Sequence, residues 1–156
     1  MTLSNTLQED LTAAIRDRDE LRRDTLRMVI AAAYNAAKAA RRDLSDEEVL
    51  QVLSREVKTR AESVEAYAAA GRTDAAHKEQ AEIDIIRAYL PEQLDAAQLE
   101  PLVREAVDVS GATSARDMGK VMAALMPKVR GRADGKQVSA LVAQELARRD
   151  LAEHSH

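Results

Sequence analysis

Lys120, Lys128, Arg130, Arg132 and Lys136 share a short window in which Asp134 is the only acid. That window carries +4 inside a chain of net charge −4. Four of the five bases crowd onto Pro127-Lys128-Val129-Arg130-Gly131-Arg132-Ala133-Asp134-Gly135-Lys136. Gly131 and Gly135 let the backbone approach a ligand closely. Arginine offers phosphate a bidentate fork, and lysine a point charge. A helix opening after Asp134 would add outward-pointing N–H groups, which favour anions. The chemistry on offer is contact with a phosphate backbone. The competing reading is a solvated loop whose bases complement helix C-termini, because charge runs are commonly surface. The residues alone leave both open.

Other chemistries find little support. The chain has no Cys, which removes disulfides, thiol catalysis, iron–sulfur clusters and cysteine zinc sites. His77 stands alone, without H-E-x-x-H spacing, and His154 and His156 lie in the last three residues. Asp46-Glu47-Glu48 reads as a helix start. Asp17, Asp19, Glu20 and Asp24 alternate with Arg16, Arg18, Arg22, Arg23 and Arg27, as on a salt-bridged helix face. No phosphate-binding P-loop, dinucleotide fingerprint or nucleophile elbow occurs. No catalytic residue, cofactor or metal ligand is assigned. No apolar run approaches the roughly 18 residues of a membrane helix. The start MTLSNTLQED has neither a basic nor an apolar stretch, so no signal peptide and a cytoplasmic location are expected.

The elements that must position the basic window are helical. Among 156 residues there are 30 Ala but only 17 Val and Ile together, with three tyrosines and no Phe or Trp. Alanine favours helices, whereas β-branched and aromatic residues favour strands. The expected fold is all-α: an N-terminal antiparallel four-helix region over residues 1–90, then a small three-helix lobe over 91–150, and a frayed tail over 151–156. Apolar spacing predicts helices from Leu3 to Asp17 and from Leu21 to near Arg42. Ser45-x-x-Glu48 is a capping box opening a third helix that Gly71 ends. Thr73 opens a fourth, which Pro91 stops. Asp95-x-x-Gln98 opens a fifth, where Pro101 predicts a kink or a later start. Ser114 to Asp117 opens a sixth and Asp134 a seventh. Met118, Met122 and Met126 recur at helical spacing beside Val121 and Leu125, as buried core does. Gly119 within that helix predicts close helix packing.

The string also resembles a known family, the YqeY-like proteins. The resemblance lies in Leu26-Arg27-Met28, Glu56-Val57-Lys58-x-Arg60, Ala70-Gly71-Arg72 and Tyr89-Leu90-Pro91-x-Gln93-Leu94. It is most specific in Asp117-Met118-Gly119-Lys120-Val121-Met122 and in Pro127 to Lys136. It covers about residues 3–148. Pro101 and the alanine-heavy second helix depart from the pattern and bear on local packing. The family is similar to the tail of the B subunit of bacterial glutamyl/aspartyl-tRNA amidotransferase, which helps hold tRNA while amide transfer occurs elsewhere in the complex. The resemblance implies a non-catalytic accessory protein contacting tRNA or other structured RNA through Lys128, Arg130, Arg132 and Lys136, flanked by Lys120. It also leaves two alternatives: a helical adaptor docking on an amidotransferase or another protein, and a component of a glutamine-dependent carbon–nitrogen ligase.

Overall fold

The computed structural model describes residues 1–154, and these residues hold seven α-helices, one 3-10 turn and no strand. The fold is all-α, as the composition requires. The helices are α1 (Leu3–Arg16), α2 (Glu20–Ala40), α3 (Asp46–Ala69), α4 (Thr73–Arg87), α5 (Ala96–Ser110), α6 (Met118–Val129) and α7 (Gly135–His154), with the 3-10 turn at Ala115–Asp117. They divide into two compact units, Met1–Pro91 and the chain from Glu92 onward.

In the first unit, Leu7 of α1, Leu26 and Val29 of α2, Val49 and Leu53 of α3 and Ile86 of α4 close one core. Short polar residues, Thr2, Asp19 and Ser45, cap the starts of α1, α2 and α3. Ser45 Oγ accepts the Glu48 N–H, and the Glu48 carboxylate accepts the Ser45 N–H, completing the expected capping box. The Arg22–Asp19 and Arg23–Asp24 pairs, at 3.4 and 2.9 Å, decorate the charged face at the start of α2. Tyr89 Oη donates to Asp10 at 2.5 Å, tying the end of this unit to α1. Burial first, and the Asp10 carboxylate second, push its phenol pKa upward.

One buried feature has no apolar logic. Arg60 of α3 is 5% exposed and Glu82 of α4 is 6% exposed, with Arg60 Nε donating to Glu82 at 3.2 Å. Arg60 Nη1 also reaches Glu56 one turn back, at 2.6 Å. Two carboxylates therefore satisfy the guanidinium where water cannot. Removing one partner from such a pair commonly costs about 3–5 kcal/mol, because the other charge stays buried.

The second unit buries Leu99, Val103, Ala106 and Val107 of α5, Val121, Leu125 and Val129 of α6, and Val138, Val142 and Leu146 of α7. Asp95 and Gln98 form the expected capping box, so α5 begins at Ala96 and runs through Pro101 rather than starting after it. The methionine stripe needs correction. Val121, Leu125 and Val129 are the fully buried row of α6, and Met118, Met122 and Met126 are half-buried beside it. Gly119 makes no close packing either: it is exposed, and an added Cβ would meet nothing within 4 Å. It lies two residues from Val121, which places it on the far side of the helix. The tail expected to fray from residue 151 is helical through His154, where an Asp150–His154 contact of 3.2 Å spans the last turn. Residues 155 and 156, including His156, lie outside the described residues.

Three helix ends use one device. After α3, the Gly71 N–H donates to Ala68 O and the Arg72 N–H to Tyr67 O, with Gly71 at φ +74°. The same pair of bonds follows α1 and α2, but there the left-handed residue is Arg18 (φ 58°) or Arg41 (φ 59°). A side chain in that region costs about 1–2 kcal/mol, partly offset in glycine by its chain entropy. We expect Arg41→Gly to stabilise the protein by about 0.5 kcal/mol and Gly71→Ala to destabilise it by about 1 kcal/mol. Urea unfolding of both variants checks this; equal and unchanged midpoints would contradict it.

Candidate nucleic-acid interface

The basic window occupies the last turn of α6, the α6–α7 loop and the first turn of α7. Gly131, at φ +77°, turns the chain out of α6. Arg130 caps α6 with its N–H on Met126 O at 2.9 Å, and its side chain is exposed. Lys128 is exposed and stands 3.8 Å from Glu105 of α5. Solvated pairs of that kind contribute about 0–1 kcal/mol, so Lys128 remains available to a stronger anion. Lys136 is exposed in the first turn of α7, and its N–H donates to Asp134 Oδ1 at 3.1 Å.

Lys120 and Arg132 stand apart from these. Lys120 sits eight residues before Lys128 on α6, about 12 Å along the axis at 1.5 Å per residue. Its ammonium is 3.9 Å from Asp117. That carboxylate accepts the Thr113 N–H at 2.9 Å. The Thr113 N–H first, then that of Ser114 and the Lys120 charge, hold Asp117 below the ordinary carboxylate range. Arg132 is half-buried, and its Nε donates to Glu92 O at 3.2 Å.

The residues that hold the loop include one that spacing did not single out as a site. Gln93 Nε2 donates to Gly131 O at 2.9 Å, and the Leu94 N–H donates to Arg132 O at 2.8 Å. The segment Glu92-Gln93-Leu94 thus grips both residues of the turn. The signal was present in Pro91-x-Gln93-Leu94, which reads from sequence only as a joint. Likewise Glu56 and Arg60, four apart in another matching motif, are two of the three members of the ion cluster, but spacing gives no hint of Glu82. His77 is exposed on α4, and no cluster of metal-ligating residues exists among the described residues.

Opposite the loop, α5 and α7 are joined by charge. Arg149 of α7 meets Asp108 of α5 at 2.6 Å and Glu145 at 2.9 Å. The Glu145 side chain, 12% exposed, also receives Arg148 at 2.5 Å. The groove beside it, about 230 Å³ in volume, has Glu100, Arg104, Gln144 and Arg148 over Val103 and Leu141. It therefore carries both signs, unlike the loop.

The chain is thus an all-helical protein of two units whose second unit presents a basic interhelical loop. It belongs to the YqeY-like family: the model described as Yqey-like protein matches residues 4–146. It is 30% identical over 136 residues to altered inheritance of mitochondria protein 41, mitochondrial, of the fungus Pyrenophora tritici-repentis, covering 85% of this chain and 75% of that protein. It is 29% identical over 90 residues to an uncharacterised protein of Schizosaccharomyces pombe, covering 58% of this chain and 73% of that one.

The Glu145 cluster yields a pH prediction. Hydrogen bonds from Arg148 first and Arg149 second lower the Glu145 pKa from 4.5 to about 2. A carboxylate depressed in the folded state adds stability that is complete above its unfolded pKa and is lost as pH falls through the folded one. Its contribution should disappear between about pH 5 and pH 2. We expect Glu145→Gln to lower the melting temperature at pH 7 and to flatten its decline over that acid range. A variant whose melting curve parallels wild type from pH 7 to 2 would contradict the assignment.

Proposed function

We propose that this protein is a non-catalytic accessory factor that contacts tRNA or another structured RNA through the α6–α7 loop. The observation that carries the reading is the loop itself. Lys128, Arg130 and Lys136 are exposed on it, and the second unit has no Phe, Tyr or Trp among its described residues. Single-stranded RNA is usually read by stacking bases on aromatic rings. A basic loop with no aromatic residue from 127 to 136 is suited to phosphate and shape. Family membership supports the reading through the similarity to the amidotransferase B-subunit tail.

A protein-docking adaptor is the second reading, and one feature favours it. Tyr34 is 67% exposed beside a groove of about 410 Å³ formed by α1, α2 and the α2–α3 connection, with Leu7, Ile30, Ala33, Ala37 and Leu44 around it. An adaptor complex should survive nuclease and high salt; a phosphate complex should not. Component status in a carbon–nitrogen ligase predicts glutamine-dependent amidation that stops when this chain is omitted.

Cytoplasmic residence goes with the RNA reading. No helix among the described residues is long and apolar enough to cross a membrane. The fungal relative is named as mitochondrial, so organelle fractionation of a tagged copy separates the two compartments.

The test is filter binding of purified protein to bulk tRNA at low and raised salt. Wild-type affinity should fall steeply with salt. The triple variant Lys128→Ala, Arg130→Ala, Lys136→Ala should bind about tenfold or more weakly, with a log–log salt slope shallower by about two to three. A triple variant that matches wild type in both affinity and slope overturns the reading.

A further inference from the structure

We infer that Gln93 and Arg132 are positioning residues that hold the α6–α7 loop in its anion-facing shape, and that Arg132 acts there through its clasp rather than as a phosphate contact. The inference rests on the phosphate-contact reading above and deepens it.

Three hydrogen bonds form the clasp, all within the second unit. Gln93 Nε2 donates to Gly131 O at 2.9 Å, the Leu94 N–H to Arg132 O at 2.8 Å, and Arg132 Nε to Glu92 O at 3.2 Å. Leu94 also packs against the core that α5, α6 and α7 share, so the clasp is anchored in the unit's interior. Gly131 sits in left-handed backbone, and its φ of +77° marks the turn that the clasp holds.

The consequence is electrostatic. A carbonyl oxygen near an incoming phosphate repels it, whereas an N–H attracts it. The clasp occupies two consecutive carbonyls of the basic turn, those of Gly131 and Arg132, with donors from residues 93 and 94. All peptides here are trans, and in a trans peptide C=O and N–H point in opposite directions. Turning Arg132 O toward Leu94 therefore turns the Ala133 N–H away from it. That N–H has no hydrogen-bond partner among the described residues. The clasp thus occupies two acceptors of the loop between Lys128 and Lys136. It also fixes a loop that would otherwise lose conformational freedom on binding.

Position separates the two roles of arginine in the window. Arg130 is exposed at the end of α6, while Arg132 is half-buried with its Nε committed to a backbone carbonyl. A lysine at 132 keeps the charge but not that planar donor. Gln93 carries no charge, so its replacement leaves the field of the loop unaltered.

The experiment uses the full-length chain, with bulk tRNA as the probe. Gln93→Ala and Arg132→Lys are measured by filter binding over a salt series, and by amide exchange of Leu94 in the free protein. We expect both variants to bind about fivefold more weakly with a salt slope parallel to wild type, since no phosphate contact is lost. The Leu94 amide should exchange about tenfold faster in each, because opening of the clasp becomes local. Unchanged affinity in Gln93→Ala overturns the inference, even if exchange accelerates. Full affinity in Arg132→Lys, or a shallower slope in either variant, also overturns it, because the first shows the clasp is not needed and the second that a phosphate contact is lost. If wild type itself fails to bind tRNA at low salt, the RNA reading falls and the positioning role falls with it. The exchange rates then show whether the clasp exists apart from RNA.

Discussion

Closing a core without Phe, Trp or Cys is the constraint from which the rest of this structure follows. Each Val or Leu buried in place of a ring removes less apolar area from water, at roughly 25 cal/mol per Å². Many such side chains must therefore converge at once, and helices rich in alanine allow that convergence. Both units meet the requirement locally. Leu26, Leu53 and Ile86 are nearly solvent-free in the first, and Leu99, Leu125 and Leu146 in the second. The Tyr89 ring packs against the first core and no Phe, Tyr or Trp among the described residues packs against the second, and polar groups fix the helix starts. The Ser45–Glu48 and Asp95–Gln98 boxes start helices, and the Tyr89–Asp10 bond fastens the close of the first unit.

The same constraint bears on function. A small aliphatic unit has little area with which to hold a loop by burial. The α6–α7 turn is held by hydrogen bonds to Glu92, Gln93 and Leu94, and only Leu94 among these packs on the core. A basic loop held in this way keeps Lys128, Arg130 and Lys136 exposed while the Gly131 and Arg132 carbonyls are hydrogen-bonded. Surface pairs such as Lys128–Glu105 are weak enough to give way to phosphate, whereas the buried Arg60–Glu82 pair is not.

Local signals made much of this legible in the residues. Capping boxes and Gly71 act within a few positions, so their sequence patterns translate directly into helix ends. Features that depend on partners far along the chain did not. Gln93 meets Gly131 across 38 residues, and Arg60 meets Glu82 across 22. Neither partner follows from periodicity. The methionine stripe was misplaced for a related reason: spacing defines a face, but the rotation of α6 about its axis decides whether the valine or the methionine row is innermost. Gly119 shows the limit of composition, since its exposed place in α6 leaves its expected packing role unfilled.

Hydrogen–deuterium exchange of the full chain, with and without tRNA at low salt, bears most directly on the claim that the α6–α7 loop is the RNA contact. If the loop is that contact, tRNA slows exchange chiefly over residues 128–136, with little change across 1–91. Slowing confined to 1–91, or none anywhere while tRNA is bound, would contradict it.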